Sequence, residues 1–211
     1  MLENFKKALV LAPHTDDGEF GCGATISKLI DNGCEVIYVA FSSCEESVRE
    51  DLPKNILKKE VKEATKFLGI KSENCIVLDF KVRKFPEKRQ EILEEMISMR
   101  AKYKPDLVFL PSSYDTHQDH KTISEEGFRA FKNSTILGYE VPWNNRSIHT
   151  NCFIEINEKY LEAKCGSLEK YKSQNHRSYA QTQFITALAK VRGTQIGKDF
   201  AECFELIRLI S

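Results

Sequence analysis

Lys7-Ala-Leu-Val-Leu-Ala12, followed at once by Pro13-His-Thr-Asp-Asp-Gly-Glu-Phe-Gly-Cys-Gly23, is the stretch that sets the architecture. An apolar run without polar alternation reads as a strand buried on both faces. The polar segment behind it leads into Gly23 to Asp31, where Ile26, Leu29 and Ile30 share one face of a helix. Strand, polar turn and helix open a βαβ unit, and the pattern repeats outward. Gly33 to Phe41 contains a second strand, Cys75 to Phe80 is a third, and Asp106 to Leu110, introduced by Pro105, is a fourth. Helical spacing fills the gaps. Ile56 to Leu68 carries Ile56, Leu57, Val61, Ala64 and Leu68 near i, i+4 spacing and stops at Gly69; Pro86 to Tyr103 carries Ile92, Leu93, Met96 and Ile97. The alternation predicts an α/β fold with a mostly parallel sheet and helices on both faces.

Downstream the pattern loosens. A helix is expected from Asp119 to Lys132, strands at Thr135 to Val141 and Cys152 to Ile156, and a helix from Glu158 to about Gln174. Asn175 to Phe200, polar and holding Gly193 and Gly197, offers no clear boundaries, and Glu202 to Ile210 fits either a final strand or a short helix. With no internal repeat or linker, residues 1–211 read as one domain. The 31 basic and 31 acidic residues cancel, which argues against a nucleic-acid binder. The apolar run after Lys6-Lys7 is too short for a signal peptide or a membrane span. Seven cysteines without a CxxC pair exclude a disulfide scaffold, so a reducing cytoplasm is the expected setting. The neutral surface and modest size permit a homo-oligomer.

Ligands of a parallel α/β sheet bind beyond the carboxyl ends of its strands. Two polar clusters fall there: the segment Pro13 to Gly23 after the first strand, and Pro111-Ser-Ser-Tyr-Asp-Thr-His117-Gln-Asp119-His120 after the fourth. Three of the chain's five histidines lie in them, mixed with carboxylates, a donor set that suits zinc and its transition-series neighbours. Each cluster alone has a plain structural reading, Asp16-Asp17-Gly18 as a turn and Asp119 as a helix cap. Together, at two strand ends, they make a stronger case, because clustered acids repel unless a cation relieves them. Gly21-Cys22-Gly23 does not make a dinucleotide turn. Ile26 stands at the third glycine position, and the acids would oppose a pyrophosphate.

The run Pro-His-Thr-Asp-Asp-x-Glu-Phe-Gly-x-Gly resembles the Pro-His-Pro-Asp-Asp-Glu signature of the LmbE / PIG-L zinc-dependent deacetylases, and His117-Gln-Asp119-His120 matches their His-x-Asp-His motif. Weaker similarity continues through Tyr171-Lys-Ser-Gln174 and Arg192-Gly193 to Phe204. The resemblance implies a Rossmann-like fold and removal of an acyl group, usually acetyl, from an amino sugar conjugate. It implies one Zn2+ per chain held by His14, Asp17 and His120, with Asp16 as general base and His117, partnered by Asp119, steadying the oxyanion. An imidazole/carboxylate site also accommodates other divalent transition metals such as iron or cobalt. Thr15 replaces the signature's proline and Gly18 its glutamate, displaced here to Glu19, which reads equally as a surface carboxylate at a helix start.

Three further residues are candidate substrate contacts. Trp143 lies among amides after a strand, Arg49 follows the second strand, and Arg192 belongs to the weaker similarity. Tyr171, Lys172 and Gln174 read as helix surface and packing groups, and His149 and His176 as structural. The expected partner is a small amino-sugar molecule, with no nucleic acid and no membrane insertion. Two rival functions stay open: a metal-dependent hydrolase of another bond, such as an ester or phosphoester, and a sugar-binding relative without catalysis.

Overall fold

In the computed structural model, which describes residues 2–210, one sheet gathers the strands β1 (Lys7–Ala12), β2 (Glu35–Ala40), β3 (Cys75–Val77), β4 (Leu107–Pro111), β5 (Thr135–Tyr139), β6 (Cys152–Ile156) and β7 (Phe200–Arg208). Their order is β3-β2-β1-β4-β5-β7-β6. The first five are parallel to one another, while β7 runs antiparallel to both β5 and β6. From β1 the chain winds outward through β2 to β3, then returns to place β4 on the other side of β1. The crevice between β1 and β4 is therefore the topological switch point, where ligands of such sheets bind.

Alternate strand residues feed two cores. Ala8, Val10, Tyr38 and Phe109 face a core shared with α1 (Asp17–Asp31), α2 (Ile56–Phe67), α5 (Glu158–Leu168) and α6 (Thr182–Thr194). Leu9, Leu11, Val39 and Leu110 face the other, built with α3 (Arg89–Tyr103) and α4 (Gln118–Ala130). All eight of these strand side chains are fully buried, which is why β1 carries no polar residue after Lys7. Among the described residues no helix is long and apolar enough to cross a membrane.

Several expected boundaries move. α1 begins at Asp17 instead of Gly23, because Gly18, which read as part of a turn, is helical. A Cβ at Gly18 would lie 2.5 Å from the Tyr38 ring, so glycine here serves close packing. α1 is then broken at Cys22 (φ −147°, ψ 22°). Gly69 does end α2, at φ +95°, a conformation open to glycine. β3 is shorter than Cys75 to Phe80, and α5 stops at Leu168 instead of near Gln174. The stretch without legible boundaries holds α6, whose buried stripe is only Ile185, Ala189 and Gly193. So narrow a stripe of mostly small residues leaves little periodicity to read. The ambiguous last segment is a strand.

Candidate metal centre and substrate cleft

Two adjacent strands bring the two polar clusters together. His14 lies two residues beyond β1, Asp16 precedes α1, and Asp17 is its first residue. Across the crevice, beyond β4, His117 caps α4 and His120 sits in that helix's first turn. Backbone pairing of β1 with β4 fixes the two loops side by side.

Three atoms form a nearly equilateral triangle. His14 Nδ1 is 3.1 Å from Asp17 Oδ2, His120 Nε2 is 3.2 Å from the same oxygen, and the two nitrogens are 3.2 Å apart. The opposite ring nitrogens are held by carboxylates: His14 Nε2 lies 3.0 Å from Asp119 Oδ2, and His120 Nδ1 lies 2.7 Å from Asp115 Oδ2. In the neutral rings each carboxylate can take the N–H of its imidazole, which leaves the nitrogens that face each other to present lone pairs. With both rings neutral, the two nitrogens and the Asp17 oxygen, which also accepts the His14 backbone N–H at 2.8 Å, converge as a ligand set for a cation. A tetrahedral metal with ligands at about 2.0–2.1 Å sets them about 3.3–3.4 Å apart, which these separations match. His117 also converges on the centre, since ligand atoms of His14, His117 and His120 lie within 4.8 Å of one another. The three histidines thus form a cluster able to bind a metal.

The electrostatics show how strongly the site favours positive charge, whether a proton or a cation. Burial pulls the His120 pKa down, but the Asp17 and Asp115 carboxylates outweigh it and carry it to about 10. His14 is likewise raised against its burial, by Asp17 and Asp119. Asp17 is buried, yet the adjoining imidazoles hold its carboxyl well below the usual range. Asp16 behaves oppositely, pushed up to about 6 by burial and by the charge of Asp17. Its side chain makes no capping bond to α1. Burial and the two neighbouring imidazoles lower His117.

The expected pairing of His117 with the Asp119 carboxylate is not what the structure holds. Asp119 serves His14, and also accepts the backbone N–H of Arg83 at 2.6 Å and of Phe85 at 3.3 Å. His117 Nδ1 instead accepts the backbone N–H of Asp119 at 3.2 Å. Asp115, quoted in the second cluster without a role, is the carboxylate that orients His120. The spacing of Asp115 five residues before a ligand-type histidine is the only sequence signal for it.

Glu19 is fully buried, not a surface carboxylate, and lies directly behind the Thr15–Asp17 turn. It meets the hydroxyls of Tyr38 and of Tyr171 (2.8 Å), and both hydroxyls also face the Thr15 carbonyl at 2.9 and 2.7 Å. These four contacts exceed the two phenolic protons available, and a proton on Glu19 supplies a third. Burial accordingly pushes its pKa up to about 8. Gly18 makes room for the Tyr38 ring, so the departure from the signature at residues 18 and 19 is one coherent exchange.

A cleft of about 320 Å³ opens over the centre, lined by His14, Asp16, Asp17, His117 and His120. Trp143 is on its wall, stacked on Tyr179 at 3.9 Å and edge-on to Phe20. Arg49 and Arg192 are not on that wall. Arg49 is exposed and paired with Asp51, while Arg192 forms a two-pronged ion pair with Glu140. Gln174, read as a helix surface group, lines the cleft, and so do Arg83 and Arg177, which sequence reasoning missed. Both arginines sit in irregular segments whose path no periodicity reveals.

Residues 9–131 match the model of the PIG-L family, described as GlcNAc-PI de-N-acetylase. The chain is 25% identical to the diacetylchitobiose deacetylase of Thermococcus kodakarensis, over 93% of this chain and 81% of that protein. Its fold is similar to N,N'-diacetylchitobiose deacetylase from Pyrococcus horikoshii, with a TM-score of 0.77, 24% identity, and coverage of 97% of this chain and 84% of that one. It is also similar to GalB, the 4-carboxy-2-hydroxymuconate hydratase from Pseudomonas putida, with a TM-score of 0.79, 17% identity, and coverage of 98% of both chains. That second likeness concerns the fold alone, and it places the chemical question on the site.

Proposed function

The chain belongs to the PIG-L family of deacetylase hydrolases, and from that premise we propose that it removes the acetyl group from the amide nitrogen of an N-acetylated amino sugar or its conjugate, with zinc as its metal. The observation that carries this reading is the triangle of His14 Nδ1, Asp17 Oδ2 and His120 Nε2, with sides of 3.1 to 3.2 Å. These three are the proposed ligands, and Asp119 and Asp115 hold the two imidazoles in the ligating tautomer. When bound, zinc lowers the pKa of a water towards roughly 7 and polarises the amide carbonyl.

Asp16 is the proposed general base. Its carboxylate lines the cleft beside Asp17, and its pKa of about 6 lets it take the attacking water's proton near neutrality and return it to the departing amine. His117 is the proposed oxyanion donor. Because Nδ1 accepts the Asp119 N–H, the proton of the neutral ring sits on Nε2, and the lowered pKa keeps the ring neutral at pH 7. The donor is therefore an imidazole N–H oriented by the α4 backbone. Trp143, backed by Tyr179, offers an apolar wall for a sugar ring.

The test is zinc content of the purified protein, with amine release from a panel of N-acetylated glucosamine derivatives before and after chelation. About one zinc per chain and chelator-sensitive release are expected. Zinc without release from any N-acetyl sugar moves the chemistry to another acyl amide, ester or phosphoester. No zinc under any loading condition overturns the mechanism.

A further inference from the structure

The first N–H groups of a helix have no partner inside it, and the side chain of the residue before the helix commonly takes one. α5 and α4 follow that rule. Asn157 accepts the N–H of Tyr160 at 3.2 Å and His117 that of Asp119, both from an extended backbone (ψ 176° and 127°). α1 departs from it. Asp16 holds the cap position, and its carbonyl accepts the N–H of Phe20 at 3.1 Å. Its backbone, however, is helical (φ −105°, ψ −9°), and its carboxylate makes no bond to the helix. Aspartate is among the strongest capping residues, yet this carboxylate lines the cleft.

Tyr38 of β2 takes over the capping. Its buried hydroxyl accepts the N–H of Gly18 at 3.2 Å. Gly18 is the second residue of α1, where a cap side chain makes its bond, so the phenol stands in for the Asp16 carboxylate. The same hydroxyl lies 2.9 Å from the Thr15 carbonyl, and one oxygen thus holds the backbone on both sides of Asp16 and Asp17. The Thr15–Asp16 peptide is planar, so fixing its carbonyl fixes the direction in which the chain enters Asp16. Tyr171 reaches that carbonyl too, at 2.7 Å, and Glu19 contacts both hydroxyls, which keeps the two rings in place. Of these three side chains, Tyr38 is the one that meets the Gly18 N–H. A side chain on residue 18 would close the route, because its Cβ would lie 2.8 Å from the phenolic oxygen.

We infer that Tyr38 is a positioning residue for the reaction: its hydroxyl caps α1 in place of Asp16 and so leaves the Asp16 carboxylate free to act in the cleft. This rests on the deacetylase reading, with Asp16 as its base. The experiment compares Tyr38→Phe with Tyr171→Phe, each zinc-loaded and assayed on an N-acetylglucosamine derivative that the native enzyme hydrolyses. Zinc content, Tm and a crystal structure are determined for both. In Tyr38→Phe the Gly18 N–H is left to Asp16, whose carboxylate should turn to within hydrogen-bond distance of it. As that population leaves the cleft, kcat should fall about tenfold, with KM within about twofold and about one zinc per chain retained. Because Asp16 restores a cap, Tm should drop by no more than about 2–4 °C. Tyr171→Phe removes a buried hydroxyl from the same carbonyl but no cap, so its Tm should drop at least as far while kcat stays within about threefold. In the Asp16→Asn background Tyr38→Phe should lower kcat no further, since the carboxylate it positions is already gone. Equal kcat losses in the two phenylalanine variants, losses that multiply with Asp16→Asn, or an Asp16 carboxylate still turned to the cleft in the Tyr38→Phe crystal would overturn the proposal and leave the deacetylase reading intact. A native protein that releases no amine from any N-acetyl sugar would overturn that reading instead, while the crystallographic arm still decides whether Tyr38 replaces Asp16 as the cap.

Discussion

Two groups of buried polar side chains flank α1, and they differ in how their lone pairs are met. At the break in the helix, Glu202 of β7 accepts the N–H groups of Ala24 (3.2 Å) and Thr25 (2.7 Å) and the ammonium of Lys164 (2.7 Å). Both carboxylate oxygens face donors, and the second half of α1 is capped by a residue from the far end of the sequence. At the start of the same helix Asp17 Oδ2 takes the His14 backbone N–H at 2.8 Å, and beyond that it faces only the ring nitrogens of His14 and His120, which present lone pairs when the rings are neutral. Both sites are buried and both contain charged residues, so neither burial nor charge distinguishes them. The tally of donors against acceptors does. A closed tally holds the fold together, whereas an acceptor surplus aimed at one point reserves a place for a cation.

The sharpest way to break this comparison is to remove a ligand. His14→Ala and His120→Ala should each drop zinc from about one per chain to near zero and abolish amine release. Zinc retained at full stoichiometry would remove that residue from the ligand set. Asp16→Asn should keep the metal and lower kcat by about 10²–10⁴. An active Asp16→Asn variant would assign the base elsewhere. The same carboxylate predicts the acid limb of the kcat–pH profile. Its base form is lost as pH falls through a pKa of about 6, and a bound dication can only move that limb lower.

Glu202→Ala should act on stability instead of chemistry. Stranding a buried lysine and two helix N–H groups costs about 3–5 kcal/mol, or roughly 10 °C in Tm for a chain of this size. Zinc stoichiometry should not change, and a loss of metal equal to that of His120→Ala would erase the distinction between the two sites. Glu19 gives the smallest effect. Its folded pKa, about 8, lies above the unfolded value, so its stabilisation is fully present below pH 4.5 and is lost as pH rises towards and through 8. Glu19→Gln lacks this titration. The Tm advantage of the native protein over the variant should shrink between pH 5 and 8, and a constant difference would mean that Glu19 stays ionised.

What sequence alone conveys follows from how local the signal is. The strands β1 and β4, the helix α2 with its glycine stop, and both polar clusters were legible because each is set by a few neighbouring residues. α6 was not, since three small or sparse buried positions produce no clear period. Arg49 stood as a candidate substrate contact by position and Arg192 by resemblance, but each is paired with a carboxylate away from the cleft wall, and Glu140 lies far from Arg192 along the chain. Glu19 could be read equally as a group near the metal or as a surface or helix-start acid, because its partners, Tyr38 and Tyr171, come from β2 and from the segment after α5.

The amino-acid sequence by itself determined the α/β class, the two strand-end clusters and the imidazole/carboxylate chemistry, because hydrophobic period and residue type are properties of short stretches. Only the tertiary structure decided which carboxylate serves which histidine, that Asp119 orients His14 while Asp115 orients His120, and that Arg83, Arg177 and Gln174 share a cleft with them. The Asp119–His14 pairing crosses the switch point between β1 and β4, and hydrogen-bond partners a hundred residues apart are chosen by packing, on which local sequence has no hold; once Asp119 is taken, Asp115 is the carboxylate left for His120.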